Sequence, residues 1–551
     1  MCAATLMALV GPWLWAPERV AAEAGPAPLR FVRGGLHWAR EDAPPRLWVN
    51  GRAVPGESAP AGGRLYAVAW QPGEVLTFSA ATDGTGTQRI TAPRRPAPLP
   101  WLALPWPPAR LIAQGAPDAV QVLAFSPDGQ RLAVGSAQGH LAVVDTRDGR
   151  MLGALHRPGR MMRALAFSAD GALLFAGEQG AEGRLAAYRV AEGRLTMVWH
   201  FDTAGELGTS EATPDDPYAW VRQPGIYRLV RRGGDLLAVV NRSTRSGTGY
   251  TVRARLYRLD GATGRMRWRF PGEAPAPLLM TWFAVDAGGD TIAVPQQLPT
   301  GAPLPTDGSG ATRVLLLDGR TGAVRQRLIP PPLPEQARVV LWRGVGLRPD
   351  GARLALALED GRGLIGPVAA PAAAGEILVW GEIRTLVVPL EIAGQPVTAT
   401  NGTLATTAGG VIFATGPSYV PVRSGAGLPQ GAHPRANHLL GYDWQGRARW
   451  AWLLPGDLQG LAGSRDGRWL AVLAGQEGPQ APDAFNGVTL LSLEGRGAQA
   501  ALAWRQGLAG RTVYGAVAVS DDGAMVALGE APRALTGGGA GQGRARVWIL
   551  R

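Results

Sequence analysis

The chain of 551 residues contains no lysine, only six histidines and a single cysteine, Cys2. One cysteine excludes an internal disulfide framework and a metal cluster held by several thiolates. It also excludes a c-type haem, whose covalent attachment needs two cysteines before a histidine. Glycine and proline are abundant instead, with 77 and 46 residues. Their abundance favours many tight turns over long helices.

All 55 basic residues are arginine, and the formal net charge is +12. A basic balance can attract nucleic acid or another anionic partner. Charged residues make up only 18% of the chain, however, and no run of five arginines occurs. The pattern predicts a solvated surface rich in arginine, with weak attraction to anionic envelope polymers as the alternative. It does not predict a nucleic-acid partner.

The N-terminal segment has the pattern of an export signal. Residues 3–16 are apolar except for Thr5, and this stretch is shorter than the roughly 20 residues that a membrane helix needs. The sequence Ala-Glu-Ala at 22–24 then fits a cleavage site. We therefore expect residues 1–24 to be a signal peptide and the protein to be periplasmic or extracellular, without a transmembrane anchor. A buried N-terminal helix or strand is the alternative.

The next two segments are expected to form a small domain and a linker. Short alternating stretches within 25–92 are separated by turn pairs such as Asn50-Gly51 and Asp83-Gly84, which is typical of antiparallel strands. The order of these stretches resembles bacterial immunoglobulin-like modules. That resemblance implies a small β domain that serves as a spacer or an adhesive unit. The proline-rich segment 93–108 predicts a stiff linker.

Eight glycine-containing turns recur in the rest of the chain. The two clearest units, VLAFSPDGQRLAVGS from Val122 and ALAFSADGALLFAG from Ala164, read as strand, turn, strand. A polar residue lies three positions before each turn glycine, which suits a tight turn that ends at positive φ. The structural turn glycines are expected at Gly129, Gly171, Gly234, Gly289, Gly351, Gly410, Gly467 and Gly523.

A third apolar strand follows each hairpin, and most are followed by a further turn and a fourth strand. The third strands are expected at 140–145, 184–190, 253–260, 313–318, 376–380, 438–443, 488–493 and 545–550. Four strands in each of eight repeats are the signature of a β-propeller. The predicted fold class is all-β: an eight-bladed β-propeller, with seven blades as the alternative count, preceded by a small β-sandwich domain.

We expect the propeller to span 109–551 and to close by pairing 109–115 with 545–550, because closure removes an open sheet edge. The FSPDG-x-x-LA-x-GS units resemble those of the bacterial WD-repeat and YVTN-type β-propeller superfamily. The resemblance implies the fold and leaves the function open.

Long insertions are the main functional signal. Connections between second and third strands lie on the same face of a propeller as the connections between blades, so insertions there would form one rim. The insertions are expected at 202–224, 242–250, 296–311, 359–375, 417–436, 475–486 and 530–543. We expect this rim to bind a partner through Asp202, Glu206, Glu211, Asp215, Asp216, Tyr218, Trp220, Tyr419, Arg423, His433 and Arg435. The acidic loop 202–224 could instead dock on arginines of its own neighbouring blade.

No catalytic motif is present. The sequence has no G-x-S-x-G, no H-E-x-x-H and no glycine-rich phosphate loop before a helix. We therefore expect no enzymatic activity, no catalytic residue, no metal site and no cofactor. The predicted function is an exported scaffold that binds another protein of the cell envelope. The alternatives are a periplasmic propeller with a quinone or haem redox cofactor, and a propeller that binds a glycan through some of its 19 tryptophans.

Overall fold

A computed structural model of the chain divides it into two compact units, Met1–Leu99 and Pro100–Arg551. The residues that the structure describes are 29–32, 35–38, 44–58, 64–68, 70, 74–79, 88–91, 100–105, 118–191, 193–209, 222–246, 249–298, 312–331, 344–358, 361–368, 377–420, 431–476, 484–494, 497, 499–533 and 544–551. The expected signal peptide, 1–24, lies outside them. Within these ranges, no helix has the length and apolar character needed to cross a membrane.

Unit 1 is an antiparallel β structure with a core of its own. Its strands follow the order β1-β2-β5-β4-β3-β6-β7. They are β1 (Leu29–Val32), β2 (Gly35–Trp38), β3 (Arg46–Val49), β4 (Arg52–Ser58), β5 (Arg64–Tyr66), β6 (Val75–Ser79) and β7 (Gln88–Thr91). Asn50 and Gly51 have φ of 46° and 76° and join β3 to β4 in a two-residue hairpin. The core is apolar and includes Leu36, Leu47 and Tyr66.

Unit 2 is built from four-stranded antiparallel meanders, numbered I to VIII along the chain. The first four use β9 (Val120–Phe125), β10 (Arg131–Ser136), β11 (His140–Asp145) and β12 (Met151–His156); β13 (Met161–Phe167), β14 (Leu173–Gln179), β15 (Arg184–Ala191) and β16 (Gly193–Asp202); β17 (Gly225–Arg232), β18 (Asp235–Ser246), β19 (Gly249–Asp260) and β20 (Met266–Phe270); and β21 (Ala284–Val285), β22 (Thr291–Gln297), β23 (Thr312–Asp318) and β24 (Val324–Ile329). A short helix, α1 (Ala204–Leu207), follows meander II.

Meanders V to VIII repeat the pattern with some additions. Their strands are β25 (Val345–Leu347), β26 (Arg353–Ala357), β27 (Arg362–Pro367) and β29 (Glu382–Thr385); β31 (Gln395–Thr406), β32 (Gly410–Tyr419), β33 (His438–Asp443) and β34 (Ala448–Leu453); β35 (Asp457–Gly463), β36 (Trp469–Gly475), β37 (Gly487–Glu494) and β38 (Gln499–Gly507); and β39 (Arg511–Val519), β40 (Val526–Ala531), β41 (Arg546–Leu550) and β8 (Pro100–Pro105). The additions are β28 (Ile377–Val379), which pairs with β24, and β30 (Leu390–Ile392), which pairs with β31.

Each meander packs on the next through a separate apolar core. Cores join I to II, II to III and so on to VII and VIII, and another joins VIII back to I. In the core between VIII and I, Val547 and Ile549 pack with Val134 and Val144. First strands of successive meanders also lie side by side, as β39 does with β9 and β9 with β13. This cyclic succession is a propeller-like arrangement with the first strands innermost.

The strand that completes the last meander is not the expected one. β41 pairs with β8, whose register sets Trp548 opposite Ala103. The segment 109–115, expected in this position, lies outside the described residues. β8 lies within 93–108, which was expected to be a polyproline linker. β8 is the edge strand of its sheet. An edge strand pairs on one side only, so a proline, which lacks an N–H donor, can occupy it without breaking the pairing to a second neighbour.

Two insertions also differ from expectation. Residues 242–250 largely continue the β18–β19 hairpin, whose pairing extends to Ser246 and Gly249. In meander V the third strand is β27, inside the expected insertion 359–375, and not the segment 376–380. Residues of β27 are mostly buried, whereas those of β28 are half-buried or exposed. Burial between neighbouring sheets therefore selects β27 as the third strand.

Six of the expected turn glycines have φ between 68° and 78°, and each N–H donates to the carbonyl of the residue three positions earlier. They are Gly129, Gly171, Gly289, Gly351, Gly467 and Gly523. The other two positions differ. In meander III the left-handed residue is Gly233 and not Gly234. Gly410 lacks a positive φ and starts β32, and its N–H donates to Thr407 Oγ1 at 3.1 Å.

Candidate functional site

A cavity of about 450 Å³ lies at one end of the first strands of unit 2. It is lined by residues from the middle of β31, from β32, and from near the start of β35 and β39, and by Trp282, which precedes β21. First strands start at the face that carries the connections between second and third strands and between meanders; we call this the loop face. Meanders IV and VIII, which supply Trp282 and Tyr514, are half the cycle apart. The cavity therefore lies at the mouth of the central axis.

β-Bulges interrupt the first strands near this mouth. Between paired positions, the first strand carries one or more extra residues in meanders I, II, III, VI, VII and VIII. A bulge leaves the extra residue outside the hydrogen-bond ladder of the sheet and changes the direction of its side chain. The extra residues are Gln121, Arg163, Tyr227, Gly402, Gln459 and, in the widest bulge, 513–516. Apart from glycine, most are polar or aromatic, and Gln459 and Tyr514 line the cavity.

Two arginines stack on aromatic rings of the following meander. The guanidinium of Arg163 lies 4.5 Å from the ring centroid of Tyr227, and that of Arg228 lies 3.6 Å from the ring of Trp282. Stacking fixes the plane of a guanidinium and leaves its N–H groups directed outward from the ring edge. Tyr514 is 52% exposed although it is a large aromatic residue. The mouth thus combines aromatic surface with oriented cations.

The polar residues that line the cavity are held by neutral partners. Asp457 Oδ1 accepts a hydrogen bond from Asn437 Nδ2 at 2.8 Å. Asn401 Nδ2 donates to the carbonyl of Leu358 at 3.0 Å. The lining contains no histidine, cysteine or serine among the described residues. Its fixed polar groups and its aromatic rings suit recognition by hydrogen bonds and stacking.

Buried polar residues shape the loop face in six meanders. They occupy equivalent positions toward the loop-face end of the second strand, in a run of otherwise apolar residues. The residues are Ser136, Glu178, Asn241, Gln296, Thr415 and Glu530. Glu530, for example, accepts from Gly510 N–H at 2.6 Å and from Trp548 Nε1 at 2.7 Å. In the sequence, each of these buried polar residues interrupts an apolar run. This signal could have indicated them, but the sequence analysis did not use it.

The start of the acidic connection is bound by arginines of the chain itself. Asp202 Oδ1 lies 2.8 Å from Arg184 Nε. Glu206 Oε2 lies 3.1 Å from Arg255 Nε and Oε1 lies 2.5 Å from Arg269 Nη1. Tyr257 Oη also donates to Glu206 at 2.8 Å, and burial together with this carboxylate raises the pKa of Tyr257. The contact of Asp202 lies within meander II, and those of Glu206 anchor this part of the connection to meander III, the neighbouring meander named in the alternative above.

The other expected rim residues that the structure describes do not line the cavity. His433 is 3% exposed; its Nδ1 accepts from Arg435 N–H at 3.0 Å, so Nε2 donates to the Val388 carbonyl at 2.8 Å. Tyr419 ends β32 and is half-buried, and Arg435 is exposed. The remaining expected residues, Glu211, Asp215, Asp216, Tyr218, Trp220 and Arg423, lie outside the described residues.

No cluster of three or more potential metal ligands occurs in the part of the chain that the structure describes. His433 and His438 are each bound to main-chain carbonyls, His438 through Nδ1 and Ala436 O at 2.7 Å. Burial lowers the pKa of His438. Both rings therefore stabilise the connection in meander VI.

No protein-family model matches the chain, and no curated protein matches it. Its structural neighbours are WD40 and propeller domains at low sequence identity. The C-terminal WD40 domain of Sif2 is 11% identical, with a TM-score of 0.44 over 79% of this chain and 95% of that chain. The Dos1 propeller is 14% identical, with a TM-score of 0.39 over 64% and 75% of the two chains. The β-propeller domain of Myceliophteria thermophila Cps50 (Swd1) is 11% identical, with a TM-score of 0.37 over 80% and 97%.

Proposed function

We propose that the protein is a non-enzymatic scaffold that binds a segment of a partner protein at the loop-face mouth. The observation that carries the proposal is the cavity of about 450 Å³ with the exposed ring of Tyr514. Concave sites with aromatic walls and a few fixed polar groups are typical binding sites. Bulged strands add main-chain groups outside the ladder, which an extended peptide can use.

The partner segment is expected to be extended, with an apolar or aromatic side chain that packs on Tyr514 and Trp282. Aromatic residues contribute much of the binding energy at protein interfaces, because they bury a large area with few rotatable bonds. The rest of the loop face would surround this contact with polar groups. We further propose that the partner belongs to the cell envelope, since residues 1–24 have the pattern of an export signal.

The test is a pull-down from an envelope fraction of the source cells, with the tagged full chain and a Tyr514→Ala variant. Truncation of a hot-spot aromatic residue at the centre of an interface weakens binding by about 2 kcal/mol or more, roughly thirtyfold. A stoichiometric partner should therefore be strongly reduced with the variant. In the same preparation, N-terminal sequencing should find that the mature chain starts at Gly25.

Leu453→Ala is the matched control, because Leu453 is 63% exposed and does not line the cavity. This variant should retain the partner. If both variants lose it equally, or if Tyr514→Ala retains it, the mouth is not the binding site. Absence of any partner with the unaltered chain would contradict the scaffold itself.

The finer points of the architecture are also proposals. We propose that meanders I to VIII are the eight blades of a single propeller of the WD-repeat type, supported by apolar cores that follow one another around the cycle. We propose that unit 1 is an immunoglobulin-like sandwich that acts as a spacer. Its two-residue Asn50-Gly51 hairpin and its apolar core support this assignment.

A further inference from the structure

A second cavity, of about 640 Å³, lies between the connection 270–278 and the sheet of meander IV. We call it the meander IV cleft. Leu278 and Leu315 are buried in its floor, at 9% and 3% exposure, and Leu298 and Val324 are partly buried beside them. The cleft is therefore apolar at its base and large enough for a small ligand.

The connection that forms one wall is fixed by a buried arginine. Arg255 is 2% exposed and donates from Nη1 to the Pro271 carbonyl at 2.8 Å and from Nη2 to the Glu273 carbonyl at 2.7 Å. Bridges from Ala276 to Ala254 and from Leu279 to Gln297 hold the same connection to the flanking strands. A wall with these contacts is preformed, so a ligand would not have to order it.

The opposite wall carries two arginines on one face of the sheet. Arg327 on β24 pairs across the strands with Leu315, and Arg313 lies two residues before Leu315 on β23. The two arginines are therefore diagonal neighbours, about 7–8 Å apart at their backbones. Arg313 Nε donates to Gln296 Oε1 at 2.8 Å, and Gln296 is itself 2% exposed. Arg313 is thus oriented by a buried partner.

Arg327 has no hydrogen bond or ion pair to any residue that the structure describes. Among the described residues, the lining contains one carboxylate, that of Glu273, which is exposed on the connection and screened by solvent. The guanidinium of Arg327 beside an apolar floor attracts an anion. A guanidinium binds a carboxylate through two parallel hydrogen bonds, which favours this anion in particular.

We propose that the meander IV cleft binds a small alkyl carboxylate, with its chain on the leucine floor and its carboxylate on Arg327 and Arg313. The site is separate from the loop-face mouth and does not depend on the proposed scaffold function. Each part of the ligand has a counterpart: the chain is removed from water by the floor, and the charge is paired at the arginine wall.

The test is calorimetric titration of the full chain with octanoate, octan-1-ol and acetate. Octanoate should bind, and both octan-1-ol and acetate should bind at least tenfold more weakly, because each lacks half of the recognition. Arg327→Gln should weaken octanoate about tenfold or more, since a hydrogen-bonded charge pair is lost. Arg327→Lys should recover part of the affinity. Ala274→Phe, which places a ring at the exposed rim of the cleft, should block binding.

Arg320→Gln is the matched control, because Arg320 lies on an exposed turn of the same meander and its side chain is 80% exposed. It should leave octanoate affinity unchanged, and each variant should melt near the temperature of the parent. Equal binding of octan-1-ol, unchanged affinity after Arg327→Gln, or no octanoate binding would each overturn the proposal. Binding that occurs only after residues 299–311 are replaced by a short Gly/Ser linker would identify that segment as the occupant and would also overturn it.

Discussion

The repeated turns use glycine for two physical reasons at once. A positive φ is strained for a residue with a Cβ atom. In addition, a side chain of the preceding meander lies against the glycine at several of these turns. A Cβ on Gly523 would lie 1.9 Å from Trp469 Cδ1, and one on Gly129 would lie 3.0 Å from Met525 Cε. The turn glycine is therefore both a conformational requirement and a contact between neighbouring meanders.

Gly523→Ala should destabilise unit 2 by about 3 kcal/mol or more, since it adds overpacking against Trp469 to the backbone strain. Gly159→Ala is the control: Gly159 has a φ of 70° and nothing lies within 4 Å of its added Cβ. That variant should cost only about 1 kcal/mol. Chemical denaturation of both variants measures the difference. Equal losses would show that close approach contributes nothing at this turn.

At the scale of elements, tryptophans of the outer strands join one meander to the next. Trp199, Trp268 and Trp450 each donate an indole N–H to a glycine carbonyl in the last turn of the following meander. The rings also lie over turn glycines: a Cβ on Gly322 would meet the Trp268 ring at 2.8 Å. Packing between blades, rather than stacking on a glycan, accounts for these tryptophans.

Trp268→Phe should destabilise unit 2 by about 1 kcal/mol more than Trp504→Phe does. Both residues are half-buried on fourth strands, but the Trp504 indole has no hydrogen-bond partner among the described residues. The additional loss of stability comes from the hydrogen bond that Trp268 Nε1 donates to the Gly319 carbonyl at 3.1 Å, which phenylalanine cannot make. Urea unfolding of the two variants provides the comparison. A larger loss with Trp504→Phe would contradict the role of the indole N–H.

Elements with a strong local signal could be predicted from the sequence. The Asp-Gly turns and the third strands β11, β23 and β33 lie where alternation and turn residues indicate them. Meander V could not be resolved, because 362–367 and 377–379 are both short apolar segments and only burial distinguishes them. The bulges at Arg163 and Tyr514 are shifts in pairing between strands, and a single sequence carries no direct signal for such shifts. The candidate site was missed for that reason.

For the whole molecule, the decisive feature is that chain segments from opposite ends share a sheet. β8 pairs with β41, and Leu104 packs on the core that joins meanders VIII and I. This pairing covers an edge of β41 that would otherwise expose unpaired main-chain groups. Because successive meanders contact mainly their neighbours, the stability of such a ring depends on the junction that joins its last blade to its first.

A chain that starts at Pro100 should therefore keep the melting transition of unit 2, whereas a chain that starts at Ala109 should not. The first truncation removes only residues of unit 1, and the second also removes β8. Without β8, the open edge of β41 should lower the melting temperature and cause association of the protein, measured by calorimetry and size-exclusion chromatography. If both truncated chains melt alike and remain monomeric, β8 is not the closing strand. Restoration of the transition by a synthetic peptide of residues 100–105 would show that the loss comes from the missing pairing and not from a damaged core.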